Sequence, residues 1–163
     1  MDRGAGTDPR DASPVAAVCA ALLADWQPVP DADRPARVAT CERLAALAAD
    51  EGGHVALVLA LAFEETHFTP APRRLCGPLQ VAPRYHCPGC THRECEAAGV
   101  DLLARLLTES EGGRRVALRR WLAGPAGRRG PLRSYRERWI GAVLVRAAEI
   151  ERRLAAAAAP PEA

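Results

Sequence analysis

Apolar positions along this chain recur at helical spacing in most segments, and nowhere do they alternate in the manner of a half-buried strand. Ser13 followed by Pro14 opens the first such segment, a capping side chain ahead of a proline that the first helical turn tolerates, and the apolar run from Val15 to Trp26 stops at Pro28. Asp33 and Pro35 repeat that start signal before Val38, Cys41, Leu44, Leu47 and Ala48, which share one helical face until Gly52 and Gly53. The stretch His54 to Glu65, HVALVLALAFEE, is apolar almost all round; its length of about three turns favours a central buried helix over a buried strand. Three further helices are expected at about 95–109, with Val100, Leu103 and Leu107 on one face, about 112–122 around Val116 and Trp121, and about 134–156. In the last, Trp139, Ile140, Val143, Ala147, Ile150 and Leu154 face one way and arginines the other.

Between the third and fourth of these segments, residues 69–93 hold five prolines, two glycines and three cysteines, a composition of turns and loop in which a site can be built. The termini differ from the rest. Residues 1–12 and 157–163 lack periodicity and offer little to pack, so both are expected to be disordered tails around one domain spanning 13–156. A chain of 163 residues with 48% hydrophobic content supports one core, and the fold class expected is all-α.

Charge changes this picture little: 22 arginines against 20 acidic residues give a net +2, which argues against nucleic acid as a partner and is compatible with an anionic polymer. No membrane span is expected, because no stretch reaches the roughly 20 apolar residues required, and the first thirty residues lack the pattern of a secretory signal. No cofactor is indicated, and a monomer is expected.

The chemistry-bearing residues begin at the end of the apolar helix. A carboxylate carried into a buried helix end is disfavoured in its charged form by desolvation and by the negative end of the helix dipole, so it tends to stay protonated near neutral pH. A raised-pKa carboxylic acid is the species a glycosidase uses to protonate the leaving oxygen of the glycosidic bond. Glu65 is placed for that role, with Glu64 pointing about a hundred degrees away; taken alone, either glutamate reads more readily as a solvated residue at a helix end.

The neighbouring residues sharpen the reading. Glu65, Thr66, His67, Phe68, Thr69 and Pro70 resemble the E-S-G-F-N-P element of the soluble lytic transglycosylase and lysozyme-like family, and Gly77, Pro78, Leu79 and Gln80, continued by Val81 and Pro83, resemble its G-L-M-Q-x-x-P element. The family's Y-N-A-G turn is half present as Trp121, Leu122, Ala123 and Gly124, without the asparagine, and WIGAVL aligns Trp139 with the family's late tyrosine, leaving Tyr135 one turn earlier. The resemblance covers about residues 54–146, with a shorter loop than usual between its first two elements.

It implies a lysozyme-like helical domain acting on peptidoglycan glycan strands, in the cell envelope or periplasm or in a phage particle. Glu65 would be the catalytic acid, and Phe68, Gly77, Leu79, Gln80 and Tyr135 would contact substrate. A glycine there lets backbone approach a sugar, and a glutamine offers both donors and an acceptor; a structural amide is the rival reading of Gln80. No second carboxylate sits at an obvious partner position, although Glu64, Glu94 and Asp101 remain candidates. In lytic transglycosylases one glutamate acts as acid and then as base, forming a 1,6-anhydro sugar; a hydrolytic muramidase and a non-catalytic glycan-binding protein are the alternatives on the same fold.

Cys76, His86, Cys87, Cys90, His92 and Cys95 fall within twenty residues. Disulfides among Cys76, Cys87, Cys90 and Cys95 are favoured over zinc binding by the same four or over free thiols, and they would pin the loop beside Gln80. Cys19 and Cys41, on adjacent helices, are buried hydrophobes or a second staple.

Overall fold

A computed structural model describes residues 13–26, 30–72, 75–111, 113–124 and 133–159. Among the described residues, seven helices run in the order α1 (Pro14–Trp26), α2 (Arg34–Asp50), α3 (Val55–Thr66), α4 (Pro83–His86), α5 (His92–Glu109), α6 (Arg114–Ala123) and α7 (Arg133–Ala158). No β-strand occurs among the described residues; a single antiparallel bridge joins Cys76 to Val81. The fold is therefore all-α. The expected tail at 1–12 lies outside the described residues, as do 160–163, while α7 continues two residues beyond the expected 156.

Helix α3 is the axis of the packing. Every residue from Ala56 to Phe63 is buried, so the helix has no solvent face until its last turn. Helices α2 and α7 both pack on it. Val55 and Leu154 line one cavity while Glu64 pairs with Arg146 at the other end of α3, so α3 and α7 run antiparallel. Helix α1 closes the layer, with Trp26 edge-on to Phe63 at 5.2 Å and Arg153 of α7 bonded to Asp25 at 2.8 Å.

Helices α5 and α6 share the same apolar core through Val100, Leu103, Leu107, Ala117 and Leu118, and α5 is also tied to α2 by a buried ion pair that the hydrophobic pattern does not reveal. Arg43 of α2 donates through Nε and Nη2 to the two Glu96 oxygens at 3.0 and 2.8 Å, and Nη2 also reaches Thr40 Oγ1. Glu96 is only 2% exposed, and the two-pronged geometry is what makes such a buried charge tolerable.

Two differences from the sequence-based boundaries have local causes. Helix α5 begins three residues early because Thr91 and Glu94 form a reciprocal capping box: Glu94 N–H donates to Thr91 Oγ1 and Thr91 N–H to Glu94 Oε2. A one-turn helix, α4, interrupts the proline-rich segment, started by Pro83 at its first position.

All six cysteines are paired, as Cys19–Cys41, Cys76–Cys95 and Cys87–Cys90. The first staples α1 to α2, the second ties the loop to α5, and the third closes a short turn. Loop-closure entropy ranks them: with separations of 22 and 3 residues, replacing Cys19 and Cys41 by alanine should cost about 3 kcal/mol and replacing Cys87 and Cys90 about half that. Urea unfolding of the two double variants checks the order, and equal losses would contradict it.

Candidate functional site

Glu65 sits in the last turn of α3, half-buried, where the helix leaves the core. Burial is the main cause that pushes its carboxyl up to about 7; a hydrogen bond with Trp121 opposes the rise and the adjacent Glu64 charge adds to it. Glu64 diverges as helical geometry requires and pairs with Arg146, whose guanidinium also lies 4.6 Å from the ring centres of both Trp26 and Phe63. The two neighbouring glutamates thus have separate environments: one is neutralised by a fixed arginine, the other faces Trp121.

The chain beyond Glu65 turns sharply. His67 and Phe68 both take left-handed backbone, with φ of 51° and 59°, and Gln80 does the same at 54°. Three of the four non-glycine residues with such φ among the described residues therefore lie in the turn that ends α3 and in the Gly77–Gln80 turn. His67 occupies the α3 C-cap, the place where the family has glycine and where left-handed geometry is usual. Its ring stands edge-on to Phe63 at 4.8 Å, and burial, then the Arg37 charge, lower its pKa. Arg37 of α2 satisfies the freed carbonyls by donating to Thr66 O at 3.3 Å and His67 O at 2.9 Å, a cation at the negative helix end.

The two elements are joined directly, since Thr66 Oγ1 donates to the Pro78 carbonyl at 2.9 Å. Gly77 has φ of 70°, and a Cβ there would come within 3.1 Å of both Cys95 Cβ and the His92 carbonyl. The missing side chain thus serves close packing on α5. His92 Nδ1 accepts the Gly77 N–H at 3.0 Å. Gly99 on α5 answers it, because a Cβ there would sit 2.7 Å from Leu79 Cδ1.

The remaining expected site residues separate into three groups. Phe68 and Leu79, expected to contact glycan, are fully buried; they support the turns from behind. Gln80 is half-buried and its Nε2 donates to the Gly77 carbonyl at 3.2 Å, so its amide does close the loop, while its oxygen and second N–H add further bonding capacity. Tyr135 is 49% exposed on the first turn of α7, and Trp139 packs against the core. Of the candidate second carboxylates, Glu94 is engaged in the capping box and Asp101 is exposed on α5.

Trp121 is the site residue that sequence reasoning undervalued. It lies in the last turns of α6, packs against the Cys76, Val81 and Cys95 cluster, and is the neighbour whose influence holds down the rise in the Glu65 pKa. Its signal was present: it opens the half-matched W-L-A-G element, the position at which the family has tyrosine. The result is an all-α chain presenting one half-buried acid between an indole and a disulfide-tied turn. No family model, no curated protein and no solved structure matches the chain.

Because the folded pKa of Glu65 lies above the unfolded value near 4.5, proton binding favours the folded state. The contribution is fully present below about pH 4.5 and is lost as pH rises through about 7, up to about 3 kcal/mol for a shift of this size. Glu65→Gln should therefore stabilise the fold more at pH 8 than at pH 4, by up to that amount. Denaturant titrations of both proteins at the two pH values check this; an identical difference at both would show that Glu65 ionises normally.

Proposed function

We propose that the chain is a lytic transglycosylase that cleaves the β-1,4 bond between N-acetylmuramic acid and N-acetylglucosamine in peptidoglycan, with Glu65 as acid and base. The observation that carries the reading is the placement of Glu65: a half-buried carboxyl at the end of an apolar helix, where burial pushes its pKa up to about 7, beside a turn that Thr66 ties to the same helix end. General acid–base catalysis is most effective when the group's pKa is near the working pH, and here one carboxyl can both give and take a proton.

In the first step the Glu65 proton passes to the glycosidic oxygen, the C1–O bond breaks, and the muramic acid ring acquires oxocarbenium character. In the second, the Glu65 carboxylate removes the proton of the C6 hydroxyl as that oxygen bonds to C1. A 1,6-anhydro product forms and Glu65 is again protonated, so no water is consumed. Pairing of Glu64 with Arg146 supports a one-carboxylate route over a two-carboxylate hydrolase, because the neighbouring carboxylate is already neutralised. Gln80 would use its remaining amide capacity on sugar hydroxyl or N-acetyl groups, and Tyr135 would reach the glycan from α7.

The test is digestion of purified peptidoglycan by the disulfide-bonded protein, with the released sugars analysed by mass spectrometry. Anhydro-muropeptides are expected from the wild type, and Glu65→Gln should release them at least 10²-fold more slowly. Reducing-end products would replace this reading with a hydrolytic muramidase. Absence of products from the folded wild type would overturn catalysis and favour glycan binding without cleavage.

A further inference from the structure

The near-neutral total charge hides a strong asymmetry. Residues 114–138 hold nine of the 22 arginines and one of the 20 acidic residues, so this stretch carries +8 while the rest of the chain carries −6. In the structure the described part of it forms one corner, where α6 meets the start of α7. There Arg119, Arg133, Arg136 and Glu137 line a cavity of about 280 Å³. Glu137 is already matched by two guanidiniums, Arg119 at 2.9 Å and Arg115 at 3.1 Å. Arg133 and Arg136 make no ion pair among the described residues.

The placement works against stability. The first turns of a helix favour acidic side chains, yet α7 opens with Arg133, Arg136 and Arg138 and has no acidic residue in its first turn. Cations gathered where the helix dipole and their mutual repulsion disfavour them, around a cavity, are explained by an anion that arrives from outside.

We infer that this corner is a docking surface for the carboxylates of the peptide stems borne by a peptidoglycan strand, with Arg133 and Arg136 as the paired contacts. The inference rests on the proposed glycan substrate and adds to it a peptide-recognition element. Guanidinium forks match carboxylates two-pronged. Location favours stems over a phosphate polymer: α6 links the two places, with Trp121, which influences the Glu65 carboxyl, in its last turns and Arg115 and Arg119 reaching Glu137 at the corner. A stem of about five extended residues spans roughly 17 Å, enough to leave a strand held at Glu65 and run along α6. A strand bound there brings carboxylates with it, whereas a phosphodiester polymer is a separate molecule.

The test uses full-length Glu65→Gln protein, so that nothing is cut, in sedimentation binding to peptidoglycan and to the same glycan stripped of its stems by an amidase. Binding to the stem-bearing polymer should be tighter, should weaken with salt, and should fall at least tenfold when Arg133→Ala and Arg136→Ala are added. The pair Arg84→Ala and Arg152→Ala, which removes the same charge elsewhere, should have no such effect. Equal affinity for stripped glycan, no loss in the Arg133/Arg136 variant, or equal loss in the charge control would each overturn the inference. So would a DNA oligonucleotide that binds through the same two arginines more tightly than the stems do, because it would assign the corner to phosphate. Cleavage is scored separately with protein that retains Glu65. If it cuts nothing while arginine-dependent stem binding persists, the catalytic reading fails and this one stands; if the arginine variant binds and cuts stem-bearing peptidoglycan as well as its parent, the reverse holds.

Discussion

The structure depends on the complete burial of α3. An apolar helix with no solvent face from Ala56 to Phe63 can exist only if other helices cover it on all sides, and α2 and α7 do so, with α1 closing over Trp26 and Phe63. The same constraint sets the environment of the two glutamates at the end of α3. The helix has to leave the core, and it does so on two successive carboxylates that cannot both be charged and unpaired at low cost. Arg146 resolves Glu64; Glu65 is left with burial as the dominant influence and an indole as its partner.

Beyond the end of α3 the chain is held by separate devices that serve the same turn. Arg37 satisfies the last carbonyls of α3, Thr66 ties that end to Pro78, and the Gly77 to Gln80 turn is pressed on α5 at two glycines, Gly77 and Gly99. The Cys76–Cys95 bond then locks the turn to α5 covalently. Glu65 is therefore set against a rigid framework built from α2, α5 and α6, and the left-handed backbone at His67, Phe68 and Gln80 is the local cost of that framework.

Periodicity made the major helices legible, because each buries a face or, for α3, its whole circumference. It missed α4, whose four residues are too few to show a period, and the early start of α5, which depends on the side-chain exchange between Thr91 and Glu94. It also missed the Arg43–Glu96 pair: two charged residues 53 positions apart give no local sign that they meet in the interior. The half-buried position of Glu65 at a helix end is legible from the apolar run before it, whereas Phe68 and Leu79, expected at the substrate, lie in the core. Motif matching identifies positions but not the direction a side chain takes. Trp121 shows the converse, a residue in the weakest motif match that reaches the acid through the packing of α6.

The central claim is that burial at the end of α3 keeps the Glu65 carboxyl protonated up to neutral pH. Its most direct test is to follow the side-chain carboxyl carbon of Glu65 by ¹³C NMR from pH 3 to 9, assigned by loss of the signal in Glu65→Gln. The account predicts a midpoint near 7, moving higher in Trp121→Phe as the hydrogen bond that favours the ion is removed. A midpoint at the ordinary glutamate value near 4.5 would contradict it.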